Sequence, residues 1–132
     1  EKRPSAEGGL HARIVSLTGA GAVIHVHAHN PVLAGYHWPD GVELSDLEML
    51  KGLGHSAHGE TVTIPVIANG QDMRILGDEF EAKYVPASAT SHDVPALIVA
   101  DHGIYVWGKN LHEARWHLEL TEALLQIKLS RR

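Results

Sequence analysis

The spacing of apolar residues divides the chain into segments of two different periods. Leu10, Ile14 and Leu17 recur every three to four residues, which is the spacing of an amphipathic helix. Ala22–Ala28 is a short apolar run rich in Val and Ile, and it predicts a buried strand. The same patterns predict helices over Pro31–Tyr36, Ser45–Leu53 and Asp72–Lys83, and strands over Thr61–Ala68, Ala96–Ala100 and Ile104–Trp107.

The last predicted helix has the clearest boundary signals. Asn110 is a residue type favoured at the N-cap, and Glu113 follows it at the position where an acidic side chain supports the first turn. From there the helix is predicted to continue to about residue 129. Its predicted buried stripe consists of Leu111, Ala114, Leu118, Leu125 and Leu129.

The order of these elements predicts the fold class. Strands alternate with helices in part of the chain and adjoin one another elsewhere, which favours a layered α/β or α+β domain. Pro65 interrupts one predicted strand and therefore indicates a sheet edge or a bulge there. A length of 132 residues with 44% hydrophobic and 20% charged residues is typical of one globular domain.

Charge and composition narrow the classes of partner. The formal net charge is −5 and the 11 Lys and Arg residues are scattered, so we expect no nucleic-acid partner. No apolar run approaches the roughly 18–20 residues that span a bilayer, so we expect no membrane partner and a cytoplasmic location. The chain contains no cysteine and 11 histidines, so a metal site would have to use histidine and carboxylate ligands.

The run "VIHVHAH" is the strongest candidate for chemistry. It places His25, His27 and His29 at alternate positions, and residues two apart on a strand face the same side. Two of these imidazoles could chelate one ion, and His102 in "VADHGIYVW" is the best candidate for a third ligand. The spacing does not decide which two of the three bind, and a pair of hydrogen-bonded strand histidines is the alternative.

Two separated segments carry a resemblance to a known family. "GAVIHVHAH" and "PALIVADHGIYVWGKNLHEARWHLELTEALLQIKL" resemble the class II aldolase/adducin superfamily, from about residue 3 to the C-terminus. Within it, "YVWG", "LEMLKGLG" and "IPVIANGQDM" are most similar to the methylthioribulose-1-phosphate dehydratase branch. The resemblance implies a layered α/β/α domain with a central, mainly antiparallel sheet. It also implies that this partial domain, residues 1–132, lacks the family's N-terminal phosphate-binding segment.

The resemblance also implies roles for individual residues. His25, His27 and His102 would be ligands of a divalent metal, Zn²⁺ in the first instance, and His29 would lie outside the ligand set. Glu48 matches the catalytic acid/base of the dehydratases, although Ser45-x-x-Glu48 also has the spacing of a helix capping box.

Glu7 matches the position where aldolases of the superfamily carry their catalytic glutamate, and we expect it to line the substrate site. The alternative interpretation of Glu7 is an exposed acidic residue in the first turn of a helix, where the helix dipole favours it. The remaining candidates receive structural interpretations: His55 and His58 in a loop, His112 and His117 at the surface or an interface, and Tyr105 and Trp107 in packing.

The implied reaction is the dehydration of 5-methylthioribulose 1-phosphate in methionine salvage, through an enediolate formed at a zinc site. A class II sugar-phosphate aldolase or epimerase is the first alternative, because it would use the same three histidines. A non-catalytic, adducin-like assembly domain is the second. The expected partners are a small sugar phosphate and further copies of the chain, as a homotetramer.

Overall fold

The computed structural model describes residues 8–53, 59, 61–70, 72–89 and 94–131. Four α-helices, six strands and one 3₁₀ helix (Glu48–Leu53) make up this part of the chain. The other elements are α1 (Gly8–Thr18), β1 (Ala22–Val26), α2 (His29–His37), β2 (Val42–Ser45), β3 (Thr61–Ile64), β4 (Val66–Ile67), α3 (Met73–Ala89), β5 (Ala96–Val99), β6 (Gly103–Gly108) and α4 (Leu111–Ser130).

The main sheet has four strands in the order β1-β6-β5-β4. Strand β6 pairs antiparallel with both β1 and β5, and β4 pairs parallel with β5. In the β1–β6 register His25 lies opposite Tyr105, and Val26 lies opposite Ile104. A second, two-stranded antiparallel sheet is formed by β2 and β3.

Helices cover both faces of the main sheet, because its strands are apolar on both sides. On one face Ile104 and Val106 pack with Leu124 of α4 in a cluster that also includes residues of α2, the 3₁₀ helix and the small sheet. On the other face Tyr105 and Trp107 pack with α1 and α3. The predicted layered α/β/α fold with a mainly antiparallel central sheet is therefore confirmed.

Pro65 divides the strand that the sequence pattern predicts over Thr61–Ala68. The part before it, β3, joins the small sheet, and the part after it, β4, forms an edge of the main sheet. Pro65 has no N–H to donate, but its carbonyl accepts a hydrogen bond from Ile98 N at 2.9 Å. The predicted interruption is confirmed, and the chain uses it to change sheets.

The predicted helix over Ser45–Leu53 is wrong in its start and its type. Ser45 is the last residue of β2, opposite Thr61, and the helix that follows is a 3₁₀ helix beginning at Glu48. Asp46, with φ of 58°, turns the chain between them. The capping-box interpretation of Ser45 and Glu48 is therefore wrong, because an N-cap directly precedes the helix, whereas Ser45 lies three residues before Glu48 and belongs to β2.

Helix α4 begins as predicted. The side-chain oxygen of Asn110 accepts a hydrogen bond from Glu113 N at 2.8 Å, and Glu113 Oε1 accepts one from Lys109 N at the same distance. Of the predicted buried stripe, Ala114, Leu125 and Leu129 are buried and Leu118 is half-buried, whereas Leu111, in the first turn, is 59% exposed. Helix α2 instead starts after Ala28, without a side-chain cap. Among the described residues, no helix is long and apolar enough to cross a membrane.

Candidate metal centre

Three histidines from two distant segments meet at one end of the main sheet. His25 Nε2 lies 3.1 Å from His27 Nε2 and 3.1 Å from His102 Nε2. A set of ligand atoms from the three residues lies within 4.8 Å of one another. The structure thus brings together the two members of the His-x-His pair and the distant histidine that the sequence analysis singled out.

The backbone accounts for this convergence. His25 belongs to β1, and His27 follows directly after that strand ends at Val26. His102 lies in the tight turn between β5 and β6, where its N–H donates to Val99 O at 3.1 Å. Asp101 occupies the left-handed region in this turn, with φ of 60°, a conformation that aspartate tolerates better than most residues.

Gly103 allows β6 to approach β1 closely beside His102. A Cβ atom built on Gly103 would lie 2.3 Å from Val26 O and 3.2 Å from His27 Cα. Any side chain at this position would push the β5–β6 turn away from the end of β1. The glycine after His102 is therefore required by packing, because it lets the two segments that carry the histidines approach each other.

The tautomer of His25 follows from its hydrogen bond. Its Nδ1 lies 3.0 Å from Ile104 O, and a carbonyl oxygen can only accept, so Nδ1 carries the proton. In a neutral ring the lone pair is then on Nε2, the atom that faces His27 and His102. Histidines that bind metals commonly have their second nitrogen held by a carbonyl or a carboxylate in this way.

Two nitrogen–nitrogen distances in this group fit a small divalent cation. Zn²⁺ binds histidine nitrogen at about 2.0–2.1 Å, and tetrahedral angles then place two ligand nitrogens about 3.3–3.4 Å apart. The two nitrogen pairs at 3.1 Å are close to that value. Three imidazoles suit zinc and other late transition metals better than Mg²⁺ or Ca²⁺, which prefer oxygen ligands.

His29 lies outside this cluster. It is the first residue of α2, where the chain leaves the strand direction, so the alternation that would align it with His25 and His27 ends. Burial raises the pKa of the Glu122 carboxyl group on α4 above its ordinary value, while a hydrogen bond with the Asn30 side chain and the charge of His29 act in the opposite direction. His29 therefore acts on Glu122 and does not belong to the histidine group among the described residues.

The predicted acid/base residue, Glu48, is exposed at the start of the 3₁₀ helix. Its carboxylate forms an ion pair with Lys51 at 3.1 Å. Within the part of the chain that the structure describes, Glu48 does not belong to the group of residues that could hold a metal ion.

The other predicted residues are distributed as follows. Glu7, His55 and His58 lie outside the described residues. His112 is exposed, whereas His117 is half-buried and donates from Nδ1 to Trp107 O at 2.8 Å.

Tyr105 packs in the core as predicted, and the structure gives it a second contact that the prediction missed. Its ring lies parallel to that of His25, with centroids 4.1 Å apart and an interplanar angle of 17°. The two residues are register partners on adjacent strands, so their side chains share one face of the sheet. The sequence shows which residues alternate along each strand, but it does not show the register between the two strands, which makes His25 and Tyr105 neighbours.

Comparison with known families and proteins supports the same interpretation. Residues 1–129 match the family described as "Class II Aldolase and Adducin N-terminal domain". A methylthioribulose-1-phosphate dehydratase of Serratia proteamaculans is 41% identical over 134 aligned residues, covering 99% of this chain and 64% of the relative. One from Sulfurihydrogenibium is 35% identical, covering 95% of this chain and 56% of the relative. The chain thus spans a little over half the length of these relatives.

Solved structures resemble the whole chain in fold. The match to an L-fuculose-1-phosphate aldolase from Thermus thermophilus covers 100% of this chain and 64% of the aldolase, with a TM-score of 0.66 and 21% sequence identity. A second L-fuculose 1-phosphate aldolase covers 99% of the chain, with 55% of its own length matched, a TM-score of 0.69 and 21% identity. At this identity the similarity establishes the fold alone.

Proposed function

The chain belongs to the class II aldolase and adducin family, and we propose that it is the metal-binding part of a methylthioribulose-1-phosphate dehydratase. The reaction is the removal of water from 5-methylthioribulose 1-phosphate, which gives 2,3-diketo-5-methylthiopentyl 1-phosphate. The convergence of His25, His27 and His102 on one point is the observation that carries the proposal. The relatives of that name, at 34–41% identity over nearly the whole chain, support the choice of reaction.

We propose Zn²⁺ as the metal, held by His25 Nε2, His27 and His102. Three protein ligands are typical of catalytic zinc, which keeps a position open for water or substrate. His27 is exposed and His102 is half-buried, so the site can be reached from solvent. When bound, the metal would supply a Lewis acid that polarises the substrate carbonyl and makes the adjacent C3 proton more acidic.

Glu48 is the proposed general base and acid. Its carboxylate would take the C3 proton and then return a proton to the C4 hydroxyl as that group leaves as water. The side chains of Glu48 and Lys51 are 68% and 67% exposed, and exposed ion pairs contribute only about 0–1 kcal/mol. Turning the carboxylate from Lys51 towards a substrate therefore costs little. Glu7 is proposed to line the substrate site.

A homotetramer is part of the same proposal, because the resemblance to the superfamily implies it. The mass of the protein in solution, measured by light scattering, tests this part separately from the chemistry. A monomer that binds zinc would remove the tetramer from the proposal and leave the metal site intact.

The activity is tested with 5-methylthioribulose 1-phosphate in the presence of Zn²⁺. Dehydration produces one product that is lighter by one water and carries a diketone, both visible by mass spectrometry and absorbance. An aldolase would instead break the C3–C4 bond and release two fragments. Zinc binding without either product would limit the proposal to the metal site of this chain, which covers 56–64% of the relatives' length.

A further inference from the structure

His25 is the central member of the three-histidine cluster. Its Nε2 lies 3.1 Å from the Nε2 atoms of both His27 and His102. A rotation of the His25 ring would therefore disturb two nitrogen–nitrogen distances at once. The orientation of this one ring decides whether three nitrogens can share an ion.

Two consecutive residues of β6 hold that ring. Ile104 contributes its carbonyl oxygen, 3.0 Å from His25 Nδ1, and fixes one edge of the imidazole. Tyr105 contributes its aromatic face, parallel to the imidazole at a centroid distance of 4.1 Å. One hydrogen bond leaves a ring free to pivot about it, and a stacked neighbour removes that remaining motion.

The Tyr105 ring is itself rigidly held. It is only 2% exposed and packs in the cluster formed between the sheet, α1 and α3, which also contains Ile14, Phe80 and Leu97. Protein interiors are close-packed, so a buried aromatic ring has little freedom to move. The platform beneath His25 is therefore fixed by the hydrophobic core rather than by the site.

We propose that Tyr105 is a positioning residue that keeps the His25 imidazole in the orientation needed for metal binding. The inference rests on the proposed metal site and adds a requirement to it: an aromatic ring at position 105. The flat face of the ring provides the support, so the phenolic hydroxyl is not needed for it. An electron-rich face against an imidazole that gains positive character on binding a cation adds attraction in the loaded state.

The test is Zn²⁺ affinity, measured by competition with a chromophoric chelator on the full 132-residue chain. Tyr105→Leu keeps an apolar side chain but removes the ring, and we expect affinity to fall about 10-fold to 100-fold, as for other residues that orient metal ligands. Tyr105→Phe restores the ring and should return the affinity to within about 3-fold of the unsubstituted chain.

Phe80→Leu provides the matched control, because Phe80 is fully buried in the same cluster and makes its ring contacts with Tyr84 and Trp107. With the metal removed by a chelator, Phe80→Leu should lower the unfolding temperature about as much as Tyr105→Leu does. It should leave the Zn²⁺ affinity unchanged. Equal losses of affinity in both leucine variants, or a loss in Tyr105→Phe equal to that in Tyr105→Leu, would overturn the inference.

The same titrations separate this inference from the proposed function. If the unsubstituted chain does not bind Zn²⁺, the proposed metal site itself fails. If the unsubstituted chain binds and Tyr105→Leu binds equally well, the site stands and only the role of Tyr105 is overturned.

Discussion

The Nε2 atoms of His25 and His102 lie 3.1 Å apart although the two histidines are 77 positions apart along the chain. The antiparallel pairing of β1 with β6 closes that distance, since it brings the end of one strand beside the start of the other. The candidate site is therefore a product of the sheet register, and changes in the register should alter metal binding.

Removal of one ligand should abolish tight metal binding. We expect His102→Ala to lower Zn²⁺ affinity by more than about 100-fold, because losing a ligand should cost more than losing a residue that only orients one. Bound zinc per chain, measured by elemental analysis after dialysis, gives the result. His29→Ala is the control, since His29 is exposed and close in sequence to two of the proposed ligands but lies outside the cluster found among the described residues. Zinc retained by His102→Ala would exclude this ligand set.

A methyl group at Gly103 should weaken both the fold and the site. Its Cβ would lie 2.3 Å from the main-chain oxygen of Val26, so β6 must move away from β1. We expect Gly103→Ala to lower the free energy of unfolding by about 1–3 kcal/mol, as for other overpacked sites, and to weaken Zn²⁺ binding. Gly70→Ala is the control, because a Cβ there meets no atom of the described residues within 4 Å. Urea unfolding with chelator and zinc titration measure the two effects.

The sequence predicts well those features that depend on neighbouring residues. The start of α4 follows from Asn110 and Glu113, which lie three residues apart. The Asn110 side chain accepts a hydrogen bond from Glu113 N, and the Glu113 side chain accepts one from Lys109 N, so both bonds are local. The interruption at Pro65 follows from its missing N–H. Both predictions are confirmed because the physics that decides them is local.

Features that depend on a distant partner are harder to predict. Strand β2 has the alternating burial of a half-buried strand, but its four residues form a strand because β3 pairs with them. Likewise, spacing alone leaves open which two of His25, His27 and His29 act together. The answer depends on where β1 ends and α2 begins: the strand ends at Val26 and the helix begins at His29, whereas the residue pattern predicts a strand to Ala28 and a helix from Pro31.

The stability of the protein should depend on pH through the ionisation of Glu122, whose pKa is raised. Burial raises its pKa above the ordinary value of 4.5, and its Oε1 is buried without a hydrogen-bond partner among the described residues. A carboxyl group with a raised pKa in the folded state binds its proton more tightly there, so stability falls as the pH rises from 4.5 through the folded pKa. Glu122→Gln should therefore stabilise the protein at about pH 7 and have little effect at about pH 4, measured by urea unfolding.

Glu113 serves as the control for that measurement, because its pKa moves in the opposite direction. The hydrogen bond from Lys109 N lowers the pKa of Glu113 below 4.5, so its contribution is present above that pH and is lost as the pH falls through the folded pKa. Glu113→Gln should destabilise the protein at about pH 7 and lose that effect in acid. Changes of the same sign in both variants would contradict the assignment.

Replacement of Glu48 should separate metal binding from turnover. Glu48→Gln keeps the size of the side chain and removes its ability to take a proton, and the carboxylate contacts Lys51 rather than the histidines. We expect Zn²⁺ affinity to stay within about 3-fold, while turnover falls at least about 100-fold, the usual contribution of general acid–base catalysis. Glu43→Gln changes an exposed glutamate on neighbouring β2 and should affect neither quantity. A Glu48→Gln variant with full turnover would assign the proton transfer to another residue, with Glu7 next to be replaced.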